Sequence, residues 1–525
     1  MTQQDDQLVL PIEDFLARNI TPGIPRARRV FCNRDLRMGS ITWVGFDMDY
    51  TLAIYDQPEM DRLSIDATVT KLVSRGYPAF IPEIPQSIDF SVRGLLIDKR
   101  FGHILKMDRF KHVAKGYHGF RELTKDELRG LYHSKKIRPA TPRYHWIDTL
   151  YALSEASLYA ALVEALEKRG HAVDYAKIFT DIRESIDEAH RDGTILDAVL
   201  SDLPRYVNRD PDLALTLHKL RSAGKKLFVL TNSRWAYTEK MMTYLLGGAM
   251  AEYPSWRNYF DVVIVAATKP AFFQERRPLM EREGEKVHPA NFPLERGRVY
   301  EGGNLHDLER ALGVTGDQVL YVGDHIYGDI LRSKKESVWR TAMIMQELET
   351  EVAAYEACHE DFGDAMRLED TREHLEDDLR FYQSRFKEIS RHIEHPHPPH
   401  PPHSSPALAS GHPKAGAAVS AVKPNGLPLP ELEAERGRVK RSLERVRGRL
   451  RQVESELAML ERRVDARFHP FWGSLLKEGN EQSSFGAQVE EYACLYTSRV
   501  SNFLAYSPQQ HFRSPRDVMA HEIGA

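Results

Sequence analysis

A doubly wound parallel α/β sheet, interrupted by a large insertion and followed by a long helical hairpin, is the fold class this sequence predicts, on three observations. Short apolar runs at 42–46, 227–230, 262–265, 319–322 and 341–345 each end in polar or glycine-rich residues, as buried parallel strands do. Segments of helical periodicity at 212–222 and 305–312 lie between them, and such alternation places ligands at the carboxyl ends of the strands. The gap between the first two runs is too long for a crossover connection, and two heptad-like apolar seams follow the last run.

The gap predicts an inserted cap domain over 59–203, with 111–131 as polar connecting material and 147–200 as mainly helical. Core segments are then expected at 1–58 and 204–347. The first seam is Leu368, Leu375, Leu379, Tyr382, Phe386, Ile389 and Ile393, within a helix region at 348–393. The second runs Leu432, Val439, Leu443, Val446, Leu450, Val453, Leu457, Leu460 and Val464, within 431–465. An antiparallel hairpin accounts for both seams, because they are of similar length; an intermolecular coiled coil is the alternative. The Pro/His-rich stretch 394–430 between them is too poor in core-forming residues to fold and is expected to be a disordered linker. Its histidines, His395, His397, His400 and His403, are interrupted by prolines that prevent the helical spacing a metal site would use, so they are assigned no site. Residues 466–525 are expected to pack on the core.

Composition narrows the class of function. The 525 residues are 42% hydrophobic and 28% charged, which suits folded domains. A net charge of −4 provides no overall basic field, so a nucleic acid polymer is not the expected partner. Three scattered cysteines, Cys32, Cys358 and Cys494, form no CxxC pair, and the N-terminus carries acids where a secretory signal needs positive charge. No apolar run reaches the ~18 residues of a membrane helix. A cytoplasmic protein with no membrane partner is the expectation, with a homo-oligomer left open.

Four strand ends carry the chemistry. The first ends in Asp47-Met48-Asp49, two carboxylates whose like charges call for a cation, and Mg²⁺ suits such hard oxygen ligands. Alone, that pair is equally a solvated turn. The second ends in Thr231-Asn232-Ser233, which could bind phosphate or simply cap a helix. The third leads to Lys269, which could neutralise both phosphate and carboxylate, and the fourth to Asp324 and Asp329. Coincidence at all four favours catalysis over structure.

In this order DMDYT, LTNS, TKP and GDHIYGD resemble the four motifs of the haloacid dehalogenase superfamily, and their wording is similar to that of the cytosolic purine 5′-nucleotidases. The stretches RVFCNRDLRMGSITWVGFDMDYTLAIYD, WAYTEKMMTYL, GDHIYGDILRSKK and FWGSLLKEGNEQSSFGAQVEEYA share that likeness. The resemblance implies a haloacid dehalogenase core and a Mg²⁺-dependent nucleoside 5′-monophosphate hydrolase. In it Asp47 is the nucleophile, and Asp49 is the acid and then the base. Mg²⁺ would be held by Asp47, the Asp49 carbonyl and Asp324, with Asp329 in support. Thr231, Asn232 and Lys269 would attend the phosphate.

Arg183, Asp187 and His190 share one helix face by their spacing, which taken alone reads as a solvated face. The resemblance implies instead that they recognise a purine, with Tyr151 stacking on the base. Ala152 and Leu196 depart from that pattern, Leu196 standing where a base-contacting lysine is expected, so the preferred base stays open. A nucleoside phosphotransferase, a sugar-phosphate phosphatase and a nucleotide-sensing scaffold without turnover remain the alternatives.

Overall fold

The structure, a computed structural model, describes residues 23–85, 87–133, 137–331, 337–395, 427–516 and 522. His397, His400 and His403, and the linker residues 396–426 with them, lie outside the described residues. The chain divides into two compact units, one of residues 1–355 with 468–525 and one of 356–467.

The larger unit is built on a ten-stranded sheet. Seven neighbouring strands run parallel, in the order Leu495–Thr497, Arg340–Ile344, Val319–Gly323, Trp43–Phe46, Lys226–Leu230, Val262–Val265 and Val299–Gly302. Antiparallel strands close both edges, Phe31–Cys32 on one and Leu279–Glu283 with Lys286–Pro289 on the other. Trp43–Phe46 is central: the chain winds outward from it to one side and then crosses to the other. The switch of winding therefore lies beside Phe46, where doubly wound sheets leave a crevice for ligands. Val229, Ile264 and Val322 are each at most 1% exposed, as expected of strands covered on both faces.

Two of these strands were not foreseen. Val299–Gly302 follows the edge hairpin and lacks an uninterrupted aliphatic run, and Leu495–Thr497 arrives from the far C-terminal segment. Each gains its place by pairing with an apolar core strand, Val262–Val265 or Arg340–Ile344, rather than from its own pattern.

The insertion leaves and re-enters the core through a short antiparallel pair, Ile54–Tyr55 with Val207–Asn208. Between them stand the helices Gln57–Ser74, Leu153–Lys168, Tyr175–Arg191 and Thr194–Ser201 and a five-stranded antiparallel sheet. Asp56 and Asp174 cap two of these helices by accepting from the N–H groups of Glu59 and Lys177. Part of the stretch expected as connecting material is sheet: Val113–His118 pairs with His103–Met107 and with Arg121–Glu122. Lys115, Gly116 and His118 break its apolar pattern, and its place comes from pairing with His103–Met107 and from Tyr117 packing into the main core cluster.

The smaller unit holds the helices His359–Glu394 and Leu429–Phe468. Ile389, Leu432, Val439 and Leu443 form a buried cluster with Leu379, Tyr382, Phe386 and Ile393, so the two seams meet within one chain as a hairpin. Ion pairs from Arg385 to Glu435 and from Arg463 to Asp361 set the helices antiparallel. No helix among the described residues is long and apolar enough to cross a membrane.

Candidate active site

Four loops at the carboxyl edge of the sheet bring the motif residues together. Asp47 follows Phe46 directly, and its N–H donates to Val322 O at 2.9 Å. Its Oδ1 accepts from the Met48 N–H at 2.8 Å and pairs with Lys269 Nζ at 2.9 Å. Lys269 Nζ also donates to Asp329 Oδ1 at 2.7 Å and to Tyr321 Oη at 2.9 Å. Tyr321 in turn donates to Leu230 O at 3.1 Å, which anchors this group to the second core strand.

Asp47, Asp324 and Asp329 each offer a carboxylate oxygen within 4.8 Å of the others'. Among the described ion pairs, Lys269 is the cation paired with this cluster, through Asp47 and Asp329. Burial drives the Asp47 carboxyl well above the usual carboxylate range; Lys269 opposes this, and Asp329, Asp324 and Asp49 add to it. Burial, then Asp329, pushes Asp324 up to about 7. Lys269 is buried too, which disfavours its charge, but Asp329 and Asp47 outweigh that and hold its ammonium well above the usual range.

Asp49 stands apart from the acid cluster. Its Oδ1 accepts from Tyr55 Oη and its Oδ2 from Ser233 Oγ, both at 2.6 Å. Protein around the carboxyl raises its pKa by desolvation, which the Ser233 and Tyr55 hydrogen bonds only partly oppose. Tyr50, just after it, lies in the left-handed region (φ 55°), as do Ala266 (48°) and Thr268 (59°) before Lys269. Non-glycine residues pay about 1–3 kcal/mol each for that conformation, a strain typical of loops that aim functional side chains.

Thr231 is fully buried, and its Oγ1 accepts from the Ser233 N–H at 3.1 Å, so its own hydroxyl proton is available to a ligand. Asn232 is occupied differently: its Oδ1 accepts from the Lys269 N–H at 2.5 Å and its Nδ2 donates to Lys269 O at 3.0 Å. Its side chain thus fastens the backbone of the lysine loop.

The inserted domain contributes a cavity of about 1010 Å³. Tyr151, Arg183, Asp187 and His190 all line it, with His145, Trp146, Asp148 and Glu155. The core motif reaches the same cavity through His325, whose Nε2 lies 3.3 Å from Asp148 Oδ2. Tyr151 meets Tyr50 edge-to-face at 4.8 Å and His190 at 5.6 Å, which fixes its ring between core and cap. Arg183 Nη1 lies 3.1 Å from Glu155 and its Nη2 4.0 Å from Asp187. Burial pushes Glu155 up to about 7 against the opposing charge of Arg183, and burial pushes His145 down to about 4. Leu196 packs against the main core cluster and is not among the cavity-lining residues.

The 5′ nucleotidase family model matches residues 30–524, a span holding every one of these side chains. The chain belongs to the 5′ nucleotidase family. A 5′-nucleotidase domain-containing protein of Dictyostelium discoideum is 28% identical over 506 residues, covering 94% of this chain and 75% of the relative. The human 5′-nucleotidase domain-containing protein 2 is 29% identical over 62% of this chain and 64% of its own length. Its rat counterpart is 30% identical over 62% of this chain and 60% of its own length, so the chain spans under two thirds of either mammalian relative. Among solved structures, the 2-haloacid dehalogenase of Pseudomonas syringae is 16% identical, covering 58% of this chain and 86% of that one, with a TM-score of 0.21. The L-2-haloacid dehalogenase of Xanthobacter autotrophicus is 15% identical, covering 58% and 78%, with a TM-score of 0.20. Membership of the 5′ nucleotidase family accords with the haloacid dehalogenase motifs quoted from the sequence.

Several residues of this site were not singled out from sequence: Arg93, Tyr55, Tyr321, Asp148 and Glu155; Ser233 was noted at its strand end but not as a partner of Asp49. Tyr321 carried a faint signal, a lone hydroxyl inside the aliphatic strand Val319–Gly323. Arg93 carried none, since its partners lie more than two hundred residues away.

Proposed function

We propose that this protein hydrolyses nucleoside 5′-monophosphates with Mg²⁺, through an aspartyl-phosphate on Asp47. The observation that carries the reading is the buried trio Asp47, Asp324 and Asp329 with Lys269 as its lone cationic partner among the described ion pairs. An all-oxygen, acidic donor set suits a small hard divalent cation, and Asp47 and Asp324 would hold it with Asp329 beside them. Bound there, Mg²⁺ supplies the charge that offsets both the acids and the substrate phosphate.

The chain's own residues do the rest. Met48 N–H and Lys269 hold Asp47 Oδ1, so Oδ2 is the atom turned to phosphorus. Lys269 and the Thr231 hydroxyl stabilise the charge on the transferring phosphoryl oxygens, and Asn232 keeps Lys269 in place. Asp49, held by Tyr55 and Ser233 and with its pKa raised by burial, gives its proton to the leaving 5′ oxygen. It then takes a proton from the water that cleaves the aspartyl-phosphate.

Family membership and the relatives' names support a nucleotide substrate, and the cavity volume and lining support a base in the inserted domain. Tyr151 stacks on it, and Arg183, Asp187 and His190 contact its edge; a purine is the base the sequence resemblance favours. A phosphate-release screen over nucleotides and sugar phosphates, with Mg²⁺ and with chelator, tests this. Chelator-sensitive release from nucleoside monophosphates is the expected result, and release confined to sugar phosphates overturns the substrate class.

A further inference from the structure

Arg93 is a fully buried arginine of the inserted domain that reaches the acid cluster's loop. It has 0% side-chain exposure, and its Nε and Nη2 donate to Glu347 Oε1 and Oε2 at 2.7 and 2.6 Å. Its Nη1 donates to the backbone carbonyl of Asp324 at 2.9 Å, and its guanidinium lies 5.1 Å from the Phe485 ring centroid. All three faces of a rigid, planar fork are thus committed, and lysine could not reproduce them.

The local chain is shaped for this placement. Gly94 takes φ 85°, a conformation side chains rarely adopt, and a Cβ there would meet Phe485 Cβ at 2.5 Å. The Gly94 N–H donates to Ile147 O at 2.6 Å, where Leu95–Asp98 begins pairing with Tyr144–Ile147. That second strand carries His145 and Trp146 of the cavity wall and leads straight into Asp148. One arginine therefore ties the carbonyl of a core loop to the strand pair that walls the cavity.

We propose that Arg93, locked by Glu347, is a positioning residue that holds the Asp324 loop in cation-binding geometry and couples it to the seating of the inserted domain. The proposal rests on the assignment of Asp324 as a metal ligand made above. A ligand loop freed from its anchor loses the arrangement its cation needs, and loss of such an outer partner typically weakens metal binding about 10- to 100-fold. Among the described contacts the Glu347 side chain meets Arg93 and no member of the acid cluster, so its effect is expected to pass through Arg93.

Isothermal titration of Mg²⁺ into the metal-stripped full chain tests this without reference to turnover. Arg93→Ala should raise the Mg²⁺ dissociation constant about 10- to 100-fold, Arg93→Lys should recover little of it, and Glu347→Gln should give a smaller loss. Glu347→Gln in the Arg93→Ala background should add almost nothing, because the two act in series. Lys106→Met supplies the structural control. Lys106 is a buried cap lysine that donates to the carbonyls of Trp472, Ser474 and Lys477, and its loss should lower the melting temperature without moving Mg²⁺ affinity. If Arg93→Ala fails to fold, Glu347→Gln alone decides. Unchanged Mg²⁺ affinity in folded variants overturns the positioning role, whereas no Mg²⁺ binding by the parent chain overturns the metal assignment and the proposal with it.

Discussion

The sheet edge and the cap cavity use the same kinds of residue to opposite ends. At the edge, Lys269 and Asp329 keep 3% and 2% of their side-chain surface, and they pair at 2.7 Å. In the cavity, Arg183 and Asp187 keep 37% and 57%, and their mutual contact stretches to 4.0 Å. Charges that are buried and locked can be preorganised for a transition state, because no solvent needs to reorganise around them. Charges left partly in water are screened, adaptable and cheap to re-pair, which suits contact with a leaving group that varies.

Substitutions should separate the two regions. Asp47→Asn removes the carboxylate proposed to attack phosphorus with little change of volume, and steady-state assays should show about a thousandfold or greater loss on nucleotides and on a small aryl phosphate alike. A folded variant that retains activity would falsify the nucleophile. Lys269→Met should also lose most turnover on both substrates. It should in addition lower unfolding stability by about 3–5 kcal/mol in urea, since it strands buried acids without their cation. A stability change near zero would mean that the acids neutralise themselves by protonation.

The cavity should respond selectively. Asp187→Ala is expected to reduce kcat/KM for the best nucleotide by about 10- to 100-fold while hardly touching aryl phosphate hydrolysis. Equal losses on both would erase the distinction between the regions. The smallest effect concerns stability alone. Asp61 of the inserted domain is buried with Gln57 Nε2 donating to it at 2.9 Å, and burial pushes its carboxyl up to about 8 against that hydrogen bond. A carboxyl raised in the folded state binds its proton more tightly there than when unfolded. Its stabilising share is therefore complete below the usual carboxylate range and is lost as pH rises toward and through about 8. Melting curves at pH 5 and pH 9 should show Asp61→Asn gaining on the parent chain at the higher pH; a gain at pH 5 alone contradicts the assignment.

The core strands were legible because each is a short apolar run whose end is marked by a change to polar residues. Val113–His118 and Val299–Gly302 were not, because their place depends on pairing with a neighbouring strand. The same division holds in the site. Asp47, Thr231, Lys269 and Asp324 could be read as strand-end residues one at a time. Asn232 could not be given its partner, since an amide after a strand can serve a phosphate or a backbone equally, and only the loop opposite it decides.

What the amino-acid order determined by itself was which chemical groups stand at the ends of successive core strands, because strand and polar end are both local in sequence. Tertiary structure alone decided which groups meet. Asp324 and Arg93 are 231 positions apart, and Lys269 and Asp329 are 60 apart. Their contact depends on sheet order, on a crossover to the far side of Trp43–Phe46 and on an insertion folding back over the edge. Burial supplies the physical reason. A carboxylate on an isolated strand end is an ordinary solvated acid, and only enclosure beside Lys269 and other acids drives the Asp47 carboxyl above its usual range.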